Sequence, residues 1–327
     1  VALDALAPLN VWRQVERLDG LRRQLLPLPL VDRAPHIDTA VFGAFESRPA
    51  AALRGKRVGL VGSDAGGAAV ALVGVRRAFE EAGVELDALS ACSGSALWGA
   101  MWAAGLTAQE MADFSLSWQP QDYLDIQWTR LPRFAFSALR GFTGLARGEA
   151  LEQLFDRRLW HMSAGETDVA LHTAVYDLER RRVRWFGTEA TPDLTLGELV
   201  RIAAAPPVPV EAVRVEGALY VDGGAVDAFP AEPLIADGSF DRVFGVDFGL
   251  RGGGEGLAAA QRDELARRSR RRLGESLTPI RPINGAENHG FGFYDLFLDR
   301  RRWPDLMRRG YTAAREALAP FTRRRRA

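Results

Sequence analysis

The sequence predicts an α/β protein built on a central, mostly parallel sheet. Twice in succession it places a short apolar run, a turn of small residues and a helical segment in the same order. In the first unit residues 58–61 read as a buried strand, Gly62, Gly66 and Gly67 as a turn, and residues 68–82 as a helix closed by Gly83. In the second, residues 84–91 carry the strand signal and residues 94–104 form a helix of small residues stopped by Gly105. A chain of 327 residues with 47% apolar and 26% charged residues can bury a full core, and it fits one large domain with extensions.

Around this unit the chain divides into three parts. Residues 1–54 are proline-punctuated and amphipathic, with Val11, Val15, Leu18 and Leu21 at helical spacing and an apolar run at 25–31. They read as an extension packed on the core or docked on a membrane. Residues 55–252 hold the main domain. Thr107 with Glu110 is a capping-box signature that starts a helix running to about residue 117. Residues 118–145 are aromatic and proline-broken, and suit either a cover over an apolar pocket or an insertion packed on the surface. Residues 169–176 and 182–186 suggest a hairpin, 195–205 a helix ending at Pro206 and Pro207, and 213–221 and 242–248 two more strands. Residues 253–327 read as a helical, arginine-rich extension that ends in Arg323 to Arg326.

Acidic and basic residues balance at 42 each, so the overall field favours no nucleic-acid partner. The basic run Arg267, Arg268, Arg270, Arg271 and Arg272 fits a solvated helix face or a surface for anionic lipid head groups. Cys92 is the only cysteine, which rules out an internal disulfide and suits a reducing, cytoplasmic compartment. The first residues carry charges among the apolar ones and supply neither a signal-peptide core nor a membrane span; peripheral contact with a membrane stays open.

Three segments carry chemistry. Ser93 lies between Ala91-Cys92 and Gly94-Ser95, where a strand ends and a helix begins. A nucleophile on so sharp a turn needs small neighbours, and the Gly94 amide then opens a helix, where negative charge is favoured. Small residues there also serve packing alone. Gly62-Ser63-Asp64-Ala65-Gly66-Gly67-Ala68 is a second strand-to-helix turn, whose glycine amides suit an oxyanion. No Gly-Lys-Ser/Thr follows and the G-x-G-x-x-G spacing is absent, which excludes the common phosphate and dinucleotide loops. Asp222, followed by Gly223 and Gly224 at a strand end, suits a base that approaches a neighbouring turn closely, or simply a turn.

Taken together, these segments resemble the patatin-like phospholipase family in order, spacing and flanks from about Lys56 to Gly249. Further likenesses are Gly74-Val75-Arg76-Arg77-Ala78-Phe79-Glu80-Glu81-Ala82-Gly83, Ala203-Ala204-Ala205-Pro206 before the last motif and Asp227-Ala228-Phe229-Pro230 after it. The resemblance implies a three-layer α/β/α fold and a serine lipid acyl hydrolase of phospholipase or esterase type. In it Ser93 is the nucleophile, Asp222 its partner in a two-residue site, and the amides of Gly66, Gly67 and Gly94 form the oxyanion hole. Long-chain acyl esters are the substrate class, with Trp118, Phe134 and Phe136 as candidate pocket residues. No metal or organic cofactor is implied. The family's turn reads Gly-Gly-Gly-x-Arg-Gly, whereas this chain has Asp64 and Ala65 for two glycines and Ala68 for the arginine. A carboxylate at Asp64 opposes a developing oxyanion unless it points away.

Of the four histidines, His36, His161 and His172 precede Asp222 and only His289 follows it, so a Ser-Asp-His order rests on His289 alone. No histidine cluster has metal-ligand spacing. Two other functions stay open: an acyltransferase using the same serine, and a catalytically silent lipid-binding or interaction protein.

Overall fold

The computed structural model describes residues 40–127, 144, 146–207, 209–249, 257–283 and 300–322. Its strands are β1 (Val58–Gly62), β2 (Ala88–Ala91), β3 (Ala170–Asp177), β4 (Arg182–Gly187), β5 (Val213–Val215), β6 (Ala218–Asp222), β7 (Arg242–Val246) and β8 (Leu277–Ile280). Its longer helices are α1 (Ala71–Ala82), α2 (Ser93–Ala103), α3 (Ala108–Ser117), α4 (Glu149–Arg158), α5 (Leu196–Ala203), α6 (Glu232–Asp237), α7 (Leu257–Leu273) and α8 (Trp303–Thr322). The strands form one sheet in the order β5-β6-β3-β2-β1-β7-β8, with β4 also on β3. From β8 to β3 the pairing is parallel; β4, β5 and β6 add antiparallel pairs.

Alternation along the central strands divides the core into two layers. Leu60 and Leu89 pack into the large cluster formed with α1, α2 and α8. Their neighbours Val61 and Ala88, with Val243, face a smaller cluster containing Leu234 of α6 and Ala266 and Leu273 of α7. The expected three-layer α/β/α arrangement follows. Every residue of α2 is buried, as a helix that is small and apolar all round requires.

The α1–α8 contact depends on two glycines. A Cβ on Gly74 would stand 1.8 Å from the Met307 carbonyl oxygen, and one on Gly310 would stand 2.0 Å from that of Ala71. The two backbones therefore meet directly, and this seals one face of the sheet.

Three expectations need correction. Residues 84–87 are a connection rather than strand, because Gly83 and Val84 close α1 by donating to the carbonyls of Glu80 (3.1 Å) and Phe79 (3.0 Å). Residues 213–221 form a hairpin, β5–β6, turning at Glu216 and Gly217, both with positive φ. The C-terminal segment is no mere extension, since β8 pairs in parallel with β7 and α8 lies on α1. Residues 1–39, most of the expected N-terminal extension, lie outside the described residues, as does the arginine tail. Among the described residues no helix is long and apolar enough to cross a membrane.

Candidate active site

The site forms where β1 and β2 end. Gly66–Val70 is a turn of 3-10 helix that runs into α1, and α2 starts at Ser93 itself. Neither start has a side-chain cap: Ala65 and Cys92 occupy the cap positions and supply no acceptor. Helices elsewhere open with Thr107–Glu110 and Thr195–Glu198 capping boxes. The amides of Gly66, Gly67 and Gly94 belong to first turns, where no intrahelical acceptor exists. The two turns are locked together. A Cβ on Gly94 would fall 2.0 Å from the Gly66 carbonyl oxygen, and the Ser95 hydroxyl donates to the Ser63 carbonyl at 2.6 Å.

Ser93 has φ +51°, a left-handed conformation that costs a non-glycine residue about 1–3 kcal/mol. That strain turns the chain abruptly from strand to helix.

Strand register brings Asp222 to the same place. Thr173 of β3 pairs with Ala91, the last residue of β2, and Val175, on the same edge, pairs with Asp222, the last residue of β6. Thus β6 takes over the edge of β3 just where β2 leaves it, about 7 Å further along. The Ala203–Pro206 flank explains itself here: the Asp222 amide donates to the Ala205 carbonyl at 3.0 Å. Likewise Asp227 to Pro230 hold the other turns. The Asp64 amide donates to the Ala228 carbonyl (2.9 Å), the Cys92 thiol to that of Asp227 (3.6 Å), and the Ser90 hydroxyl to that of Pro230.

Ser93 and Asp222 are buried, at 4% and 3% exposure. The Gly224 amide donates to Asp222 Oδ1 at 2.8 Å. Against the effect of burial, the Ser93 hydroxyl lowers the pKa of Asp222, and of Asp64 as well. Asp64 does not turn away from the centre, for its side chain packs on Gly224 beside Asp222. Its charge is met by Arg262 of α7, whose Nη1 donates to Asp64 Oδ2 at 3.3 Å and to the Gly224 carbonyl at 3.4 Å. Burial raises the pKa of both carboxylates. Asp222 is pushed up to about 8, next through repulsion from Asp64 and against the hydrogen bond from Ser93. Asp64 is also raised, with Arg262 opposing the shift. Burial, with Asp64 and Asp222 nearby, pushes the Cys92 thiol well up, so it stays protonated and inert.

The sequence reading missed Arg262. The signal that could have found it was a carboxylate in a turn lacking its own cation, which requires one from elsewhere. Trp118, expected to line a pocket, is 1% exposed and enclosed by Trp98, Phe114, Tyr123, Phe155 and Trp303, so it serves the core. Phe134, Phe136, His36 and His289 lie outside the described residues. His161 sits against Asp156 at the end of α4 and His172 on β3; neither is among the groups acting on Ser93 or Asp222. A cavity of about 180 Å³ beside Asp64 is lined by charged residues, Asp247, Arg262 and Arg270, together with Ala228, Gly249 and Ala266.

A family model described as patatin-like phospholipase matches residues 64–235. No curated protein matches the chain. Among solved structures, VipD from Legionella pneumophila is similar at 13% identity, with 81% of this chain and 67% of that one covered and a TM-score of 0.49. The type III effector protein ExoU is similar at 16% identity, with 86% and 54% covered and a TM-score of 0.46. ExoU of Pseudomonas aeruginosa in complex with SpcU gives 15% identity, 85% and 54% covered and a TM-score of 0.42. This chain therefore spans about half the length of ExoU.

Proposed function

This chain belongs to the patatin-like phospholipase family, and on that premise we propose that it is a serine lipid acyl hydrolase with Ser93 as nucleophile and Asp222 as base. The observation that carries this reading is the register that delivers Asp222 to the end of β2, beside the turn that holds a strained serine.

Asp222 takes the hydroxyl proton as Ser93 Oγ bonds to the ester carbonyl carbon. The carbonyl electron pair moves onto oxygen, and the amides of Gly66, Gly67 and Gly94 stabilise that charge. Collapse expels the alcohol, which leaves with the proton held by Asp222. Water then gives a proton to Asp222 and attacks the acyl-enzyme, and Ser93 is released with its proton restored. An acceptor alcohol in place of water would make the same site a transferase. Long-chain acyl esters at a lipid surface are the substrate class, and the protein works in the cytoplasm with peripheral membrane contact and no nucleic-acid partner.

The test is covalent labelling with a fluorophosphonate in mixed micelles. One adduct is expected, at Ser93, and none in Ser93→Ala. Labelling that persists in that variant removes the assignment, and folded parent protein that never labels favours the silent lipid-binding reading. Since the base must be ionised, hydrolysis should also rise about tenfold per pH unit below a midpoint near 8 and level off above it. A profile flat from pH 5 to 9 would contradict Asp222 as the base.

A further inference from the structure

We propose that Asp64 and Arg262 are positioning residues for the catalytic pair: Arg262 holds the Asp64 carboxylate beside Asp222 through an ion pair, and the charge so placed decides how readily Asp222 can serve as base. This rests on the reading of Ser93 and Asp222 as nucleophile and base.

The geometry is asymmetric. Two buried carboxylates meet at Gly224, where a Cβ would fall 3.1 Å from Asp222 Oδ1 and 3.2 Å from Asp64 Cγ. Arg262 Nη1 faces Asp64 Oδ2 directly at 3.3 Å, whereas toward the Asp222 turn it reaches the Gly224 carbonyl rather than the carboxylate. Coulomb attraction thus favours the negative charge on Asp64 over one on Asp222. The ion pair is itself enclosed, with side-chain exposures of 8% for Asp64 and 12% for Arg262. Among the described residues, Asp64 Oδ1 and Arg262 Nε are buried without hydrogen-bond partners.

The other ionisable groups nearby leave this arrangement in control. Cys92 stays neutral, Asp227 acts from behind it, and Arg270 is committed to Asp247 at 2.8 Å. Through Arg262, α7 joins the site from the C-terminal part of the chain.

The experiment is the pH dependence of kcat/KM for a soluble p-nitrophenyl ester, followed by pH-stat, in full-length parent, Asp64→Asn, and Asp64→Asn combined with Arg262→Gln. Removing the like charge while keeping the guanidinium should move the acid limb down by about one unit. Below the parent midpoint Asp64→Asn is then about tenfold faster than the parent. The double variant should lie between Asp64→Asn and the parent, because repulsion from Asp64 acts on Asp222 more strongly than attraction by Arg262. An acid limb unmoved or moved upward in Asp64→Asn overturns the proposal. If Asp64→Asn fails to fold, Asp64→Gly, which restores the residue type expected at this turn, should shift the limb in the same direction, and an unshifted limb overturns the proposal equally. Ser93→Ala separates the two levels. Residual hydrolysis in that variant defeats the dyad reading itself, while an inactive Ser93→Ala beside an unshifted Asp64→Asn defeats only this inference.

Discussion

Asp222→Asn is expected to lower kcat/KM by about 10³ to 10⁴ while making the protein more stable at alkaline pH. The amide Oδ1 can still accept from Gly224, so the turn should persist, but the group can no longer take the Ser93 proton. The stability change follows from linkage. The Asp222 pKa is pushed up to about 8 in the folded protein, while the unfolded chain titrates at about 3.9. Below about pH 4 both states hold the proton and the contribution of Asp222 is fully present. As pH rises the unfolded state releases its proton first, and stability falls until the folded pKa is passed. Asparagine escapes this loss. Thermal melts at pH 5 and pH 9 should show a small advantage for the variant at the lower pH and a several-fold larger one at the upper. A gain of the same size at both values would mean that the buried charge is not its cause.

Gly74→Ala is expected to destabilise the fold by about 3 kcal/mol, against the gain of about 1 kcal/mol that alanine brings to an ordinary helix interior. The nearest atom to the new methyl is the Met307 carbonyl oxygen at 1.8 Å, with the Tyr311 amide nitrogen at 2.5 Å. Backbone cannot rotate aside as a side chain can, so α8 must move bodily off α1. Gly310→Ala should act alike from the other helix, where the obstacle is the Ala71 carbonyl oxygen at 2.0 Å. Because both alter one contact, the double variant should cost less than the sum of the two. Urea unfolding of the three proteins measures this, and alanine at either position without loss of stability would show that the helices are not held by backbone contact.

Much of the fold was legible because its causes are local. Gly83 in its left-handed conformation stops α1, the Thr107–Glu110 box starts α3, and the small residues around Ser93 permit an abrupt turn. The misreadings also have local causes. Residues 213–221 look like one strand because two apolar runs flank only Glu216 and Gly217. β8 is four residues long and contains Pro279, which weakens any strand signal. Trp118 read as a pocket wall because an aromatic, proline-broken stretch has no period to show which rings face inward.

Order along the chain, helix ends, turn chemistry and the candidate nucleophile, oxyanion amides and aspartate were determined by the sequence itself, since each depends on a few adjacent residues and their backbone preferences. Tertiary structure alone decided that β6 succeeds β2 on the edge of β3, that Gly74 meets Gly310 across two helices, and that Arg262 answers Asp64 from 198 positions away. Such contacts depend on how whole elements pack, and the burial they create then raises the pKa of Asp64 and Asp222.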